Sequence, residues 1–184
     1  MFKPLFYAAL FVGLGSCKKD LTPLEQLPAA TQDGNNTAGW LLDGRAWVPV
    51  RSTISTGPPV SGSWQKTKSG HALSVSFHQF SIEENWGAGF SLLDIRQAGT
   101  FTLNQSSTVS GGRFAASYGQ YYHSRPAPDL NCYTGPDALG QLIITRFDTV
   151  QNIVSGTFEM TPRDYTTGTA VTITNGRFDV HFER

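Results

Sequence analysis

Residues 72–80, ALSVSFHQF, alternate without a break. Leu73, Val75 and Phe77 fall on one side of an extended chain, and Ser74, Ser76 and His78 on the other. A period of two marks a half-buried strand, because successive side chains of a strand point to opposite faces. No stretch of the chain shows an amphipathic helical period to compete with it. Strand-like runs recur in GWLLDGRAWVPV, NWGAGFSLLDI, GTFTL, GRFAASYGQYYH, GQLIITRFD, NIVSGTFEM and AVTITNGRFDVHF. The 19 Gly, 10 Pro and only 15% charged residues suit many short strands and turns better than helices. A chain of 184 residues is long enough for one domain with its own core. The expected fold is all-β: a single antiparallel β-sandwich or barrel-like domain of about nine or ten strands, joined by sequential hairpins.

Turn chemistry divides these runs. Asp43-Gly44 between two short apolar segments predicts a tight hairpin, since a type I′ turn needs positive φ at both central positions. Residues 52–62 and 124–139 read as loops, the second from its Pro, Gly and Asp content. Near the C-terminus, Val171 and Ile173 are apolar at odd positions, whereas Phe178, Val180 and Phe182 are apolar at even ones. The parity flips across Asn175-Gly176. A two-residue hairpin there would explain the flip, and so would a β-bulge within one long strand. The bulge is the preferred reading, because residues 153–164 and 169–180 then match in length around the turn YTTG. Phe158, Phe178 and Val180 are expected in the core.

The N-terminus reads in three parts. Lys3 is a short positive region, and Pro4 to Leu14 is an apolar run too short to span a bilayer, which takes roughly 20 apolar residues. Gly15 and Ser16 are the small residues of a cleavage site. Cys17 follows them, and LGSC resembles the lipobox of bacterial lipoproteins. That resemblance implies that the Cys17 thiol receives a diacylglycerol, the preceding peptide is removed and the new amine is acylated. Residues 1–16 are then a lipoprotein signal peptide, 17–38 a lipidated N-terminus and flexible tether, and 39–184 the all-β domain. Several acyl chains give stable attachment. The expected location is the bacterial outer membrane, facing the periplasm or the surface. The mature chain is close to neutral, which argues against a nucleic-acid partner.

LPAATQDGNNTAGWLLDGRAWVP near the start resembles the opening of an uncharacterised lipoprotein family from Bacteroidota-type bacteria. GQLIITRFDTVQNIVSGTFEM and VTITNGRFDVHF resemble its ending, and SCKKD is a common start for such lipoproteins. The resemblance implies an envelope lipoprotein with a β-rich domain and supplies no catalytic residues. Related sequences often have a cysteine where this chain has Trp40, which implies that Cys132 has lost a disulfide partner. Asp148-Thr149-Val150 resembles the site at which such bacteria O-glycosylate exported proteins, making Thr149 a candidate for modification.

Candidate chemistry is sparse. Short motifs for zinc proteases, α/β-hydrolases, P-loops and dinucleotide binding are absent. His71, His78, His123 and His181 read as scattered surface histidines, with no metal site and no cofactor expected. Glycoside hydrolysis would need two carboxylates roughly 5–10 Å apart. Glu83 and Glu84 diverge on a strand. Asp94, Asp129, Asp137, Asp148, Glu159, Asp164 and Asp179 could pair only across strands, and Asp148 and Asp164 suit turn hydrogen bonds. Trp64, Trp86, Tyr118, Tyr121, Tyr122 and Tyr133 could stack on sugar rings, but most are expected to fill the core. The favoured function is non-enzymatic binding or scaffolding at the envelope, with a glycan or an envelope protein as ligand. The alternative is a glycan-binding or carbohydrate-active protein.

Overall fold

The computed structural model describes residues 20–51, 57–67, 70–106, 109–110, 113–114, 116–125 and 127–184. Cys17 and the signal-peptide reading lie outside these. Among the described residues there are thirteen strands and no helix. They are β1 (Thr37–Leu42), β2 (Arg45–Trp47), β3 (Val60–Thr67), β4 (Gly70–Phe80), β5 (Asn85–Leu93), β6 (Gly99–Thr102) and β7 (Val109–Ser110). Then come β8 (Arg113–Phe114), β9 (Tyr118–Arg125), β10 (Leu130–Tyr133), β11 (Gly140–Asp148), β12 (Ile153–Met160) and β13 (Ile173–Glu183). Strands β7 and β8 pair only with each other, and the other eleven form one curled sheet.

Strand β13 organises that sheet. Along its first half it lies between β12 and β1, so that β6-β11-β12-β13-β1-β2 make one wing. At its end Phe182 and Glu183 pair with Gly62 and Ser63 of β3, which leads into β3-β4-β5-β9-β10, the second wing. The β13–β3 pairing is parallel, so the expectation of a purely antiparallel sheet is corrected at this seam. The two strands are remote in sequence, which frees them from hairpin geometry. Gly62 permits the approach, since a Cβ there would sit 2.9 Å from Val180 Cγ1.

The wings face each other across an aromatic core. Phe77 and Phe90 come from the second wing and Phe158 and Phe178 from the first, all four buried. Phe77 stacks on Phe158 with ring centroids 5.6 Å apart, and Phe90 meets Phe178 edge-on at 5.1 Å. Trp40 and Trp47 stack at 3.8 Å in the same core. Their rings also pack near those of Phe77, Phe158 and Trp86, and their buried indole N–H groups have no hydrogen-bond acceptor among the described residues. Leu73, Val75 and Phe77 are buried, as the alternation on β4 requires.

The turn at Asp43-Gly44 is tight, with φ of 48° and 82° and Leu42 paired to Arg45. The parity flip is a bulge. Phe158 faces Gly176 while Met160 faces Ile173, so three steps on β13 oppose two on β12. Asn175, with φ of 53°, is the extra residue. It turns Ile173 and Phe178 both inward, where both are buried.

Two loop readings need correction. The segment 124–139 contains β10, whose Cys132 pairs with Tyr121 of β9 and is fully buried. Its Sγ lies 3.8 Å from the Thr169 carbonyl, and burial chiefly pushes its thiol pKa up to about 11. The segment 52–62 runs into β3, which starts at Val60. In both places the strand forms a hairpin with its neighbour in sequence, β9 for β10 and β4 for β3, and local Pro and Gly content does not report it. Strand β1 starts at Thr37, two residues before the boundary read from the sequence.

Candidate functional site

Strands β11 and β12 alternate over Gly140–Ile144 and Thr157–Met160, and β13 lies beside them with its bulge at Asn175. Leu142, Ile144, Phe158, Met160 and Phe178 point into the core. The residues between them therefore share the outer face: Gln141 and Ile143, Thr157 and Glu159, Asn175 and Arg177. Register aligns them in rows. Ile143 is opposite Thr157 and Thr157 opposite Arg177, while Gln141 is opposite Glu159 on one side and Thr102 of β6 on the other.

These side chains line a shallow trough. One depression of about 520 Å³ runs over Ile143, Thr157, Asn175 and Arg177 and is closed at one side by Ala30. A second of about 430 Å³ shares Gln141 and Glu159 with the first and extends to Asn104, Thr161, Thr172 and Thr174. The bulge at Asn175 aims its backbone N–H at Glu159 Oε1, 3.5 Å away. The Arg177 guanidinium donates to the carbonyls of Asn175 and Pro28, each at 3.4 Å. Glu159 and Arg177 take no part in an ion pair among the described residues, where the pairs are Arg96–Asp94 and Arg146–Asp148. The trough thus offers one carboxylate, one guanidinium, three amide side chains and a row of threonine hydroxyls. Such a set can hydrogen-bond a neutral polar ligand along its length. Glu159 is its single carboxylate, whereas glycoside hydrolysis works with two.

The carboxylates proposed from sequence are scattered. Asp148 accepts from the Val150 and Gln151 amides and from Arg146, and these hold its carboxyl below the usual range, with the Gln151 amide foremost. Thr149 lies half-buried in that same turn between β11 and β12, beside a fully projecting Val150. Asp164 accepts from the Thr166, Thr167 and Asn131 amides. Both aspartates do the turn work expected of them. Asp94 pairs with Arg96, and the Glu84 carboxylate accepts from Gln79 Nε2 while its backbone carbonyl accepts from the Ser81 amide. Asp129 and Asp137 are exposed.

The remaining candidates also stay apart. His71 stacks on Trp64 at 4.2 Å, and His78 has its pKa lowered, chiefly by burial. His123 packs near Tyr121, and His181 is exposed on β13. Among the described residues no three His, Cys, Asp or Glu side chains converge on a metal position. Tyr118 and Tyr121 are buried, whereas Trp64, Trp86, Tyr122 and Tyr133 are half-buried. None of them lines the trough.

Asp179, one of the carboxylates considered for pairing across strands, instead holds the N-terminal segment, a role the sequence did not indicate. It sits on the outer row of β13, yet only 1% of it is exposed, because residues 31–35 cover it. Its carboxylate accepts from the hydroxyls of Thr31 and Ser155, both at 2.7 Å. It also accepts from the amides of Asp33, Gly34 and Asn35 at 2.8–3.1 Å. Burial pushes the pKa up, but these hydrogen bonds outweigh it and bring the group down to about 2. Leu27 is also buried, so the segment read as a tether is bound to the domain over its second half. The polar run TQDGNN gives a turn signal, but nothing in it names a partner some 145 residues away. No protein-family model matches the chain, and no curated protein and no solved structure matches it.

Proposed function

We propose that the protein is a lipid-anchored component of the bacterial cell envelope, of the Bacteroidota-type lipoprotein family it resembles, and that its domain binds a ligand without catalysis. The sequence LGSC at residues 14–17 supports the anchor, with Cys17 as the lipidated residue and the outer membrane as its location. We read the two facing wings as a β-sandwich, a rigid platform with its binding face outside. The trough over β11–β13 carries the binding reading. Its hydrogen-bonding side chains are fixed on strands, and its two charged groups are held without an ion pair between them. Thr149 remains the candidate for O-glycosylation, on a turn at the rim of the same wing.

Phase partitioning tests the anchor. Wild-type protein should enter the detergent phase and Cys17→Ala the aqueous phase. Wild-type protein in the aqueous phase would end the reading.

The trough favours a second reading, in which the ligand is a glycan and Glu159 handles its hydroxyl groups. Binding of envelope polysaccharide should then fall at least tenfold in Glu159→Gln or Arg177→Met, roughly the loss of one charge-assisted hydrogen bond. Unchanged binding in both variants would move the ligand elsewhere on the domain, and release of reducing sugar ends abolished by Glu159→Gln would make the protein an enzyme.

A further inference from the structure

Residues 21–27 form a single closed turn. Glu25 accepts from the Thr22 amide at 2.8 Å, and the Glu25 amide donates back to Thr22 Oγ1 at 3.4 Å. Gln26 N donates to the Thr22 carbonyl, Leu27 N to the Leu24 carbonyl, and Gln26 Nε2 to the Leu21 carbonyl. The turn is docked at its end, where Leu27 is buried and the Pro28 carbonyl receives Arg177. Leu21 and Leu24, three residues apart and so on one side of the turn, are 58% and 48% exposed. Two leucines are thus presented to solvent on a turn held by its own capping hydrogen bonds.

From Cys17 to Leu21 there are four peptide steps, which span at most about 14 Å. The interfacial zone of a bilayer reaches some 5–7 Å beyond the hydrocarbon boundary, and amphipathic surface segments sink about 5–10 Å into it. A lipid on Cys17 starts at that boundary, so the turn cannot be farther away than a short reach. Lys18 and Lys19 lie between them in sequence, and their charge suits an anionic headgroup layer. We infer that Leu21 and Leu24 are a membrane-contact face, which lays the domain on the lipid surface in one orientation. This rests on the lipid-anchor reading of Cys17. The docking of Leu27 and the clasp on Asp179 make the contact orient the whole domain, since the turn cannot swing freely from the β-sheet.

The test uses full-length, processed protein reconstituted in vesicles of phosphatidylethanolamine and phosphatidylglycerol. An environment-sensitive fluorophore is placed on Leu21→Cys, Leu24→Cys or Val150→Cys, the last being 91% exposed on a different turn. Cys132 is fully buried and takes no label in the native state. Labels at positions 21 and 24 should shift to the blue and be quenched several-fold more by lipid-borne quenchers than the label at 150. Equal quenching at all three positions, in protein that still partitions into detergent, would overturn the contact face and leave the anchor standing. Protein that fails to partition into detergent would overturn the anchor and the inference with it.

Discussion

Asp179 keeps its charge beneath the N-terminal segment because five donors converge on it. Removing the carboxylate would leave the Ser155 hydroxyl and three backbone amides without an acceptor. Asp179→Ala should therefore lose about 3 kcal/mol in denaturant unfolding. A loss below about 0.5 kcal/mol would mean that the clasp is not formed in solution. The same group sets an acid limit. Its pKa is about 2 in the folded chain against 3.8 when free, so the folded form binds fewer protons. That difference contributes roughly 2 kcal/mol, fully present above about pH 4 and lost as pH falls through 2. Thermal melts from pH 7 to 2 should show this loss in wild type, and Asp179→Ala should remove most of it. Asp148 and Asp164, also depressed by hydrogen bonds from turn amides, leave a residual slope in the same direction.

At the scale of the element, Asn175 decides which face each residue of β13 presents. One extra residue lets Ile173 and Phe178 both turn inward and leaves Asn175 and Arg177 on the trough. Without Asn175 the two apolar sets would share one parity, so the extra residue has to be absorbed locally, and it is absorbed at a positive φ. Asn175→Val should cost about 1–2 kcal/mol, because a β-branched residue resists a positive φ, whereas Asn175→Gly should stay within about 1 kcal/mol, since glycine takes it readily. Equal melting temperatures for the two variants would count against the bulge. The sequence made this element legible, because the parity flip and the length match around YTTG are both local. It made β4 and the Asp43-Gly44 hairpin legible for the same reason. Strand β10 and the start of β3 stayed hidden, since their Pro-, Gly- and Ser-rich composition masks the pairing that β9 and β4 impose on them. The trough was half legible: Glu159 stood among the candidate carboxylates, but Gln141, Thr157 and Arg177 join it only through register across three strands.

The molecule as a whole hangs on β13. Both wings hydrogen-bond to it, and Phe77, Phe90, Phe158 and Phe178 interlock between them. Unfolding should then be a single transition, with tryptophan fluorescence and far-ultraviolet circular dichroism giving the same midpoint. Two separated midpoints would mean that the wings melt independently. The clasp adds a mechanical consequence. A pull on the N-terminus meets the docked Leu27 and the Asp179 hydrogen bonds before it reaches β1, and Asp179 belongs to the strand shared by both wings. Force entering there is divided across the middle of the sheet, where neighbouring strands resist together. The same force applied to a free edge would peel one strand at a time. If the domain is anchored through Cys17 as proposed, a tug on that leash would thus be taken up at the seam the two wings share.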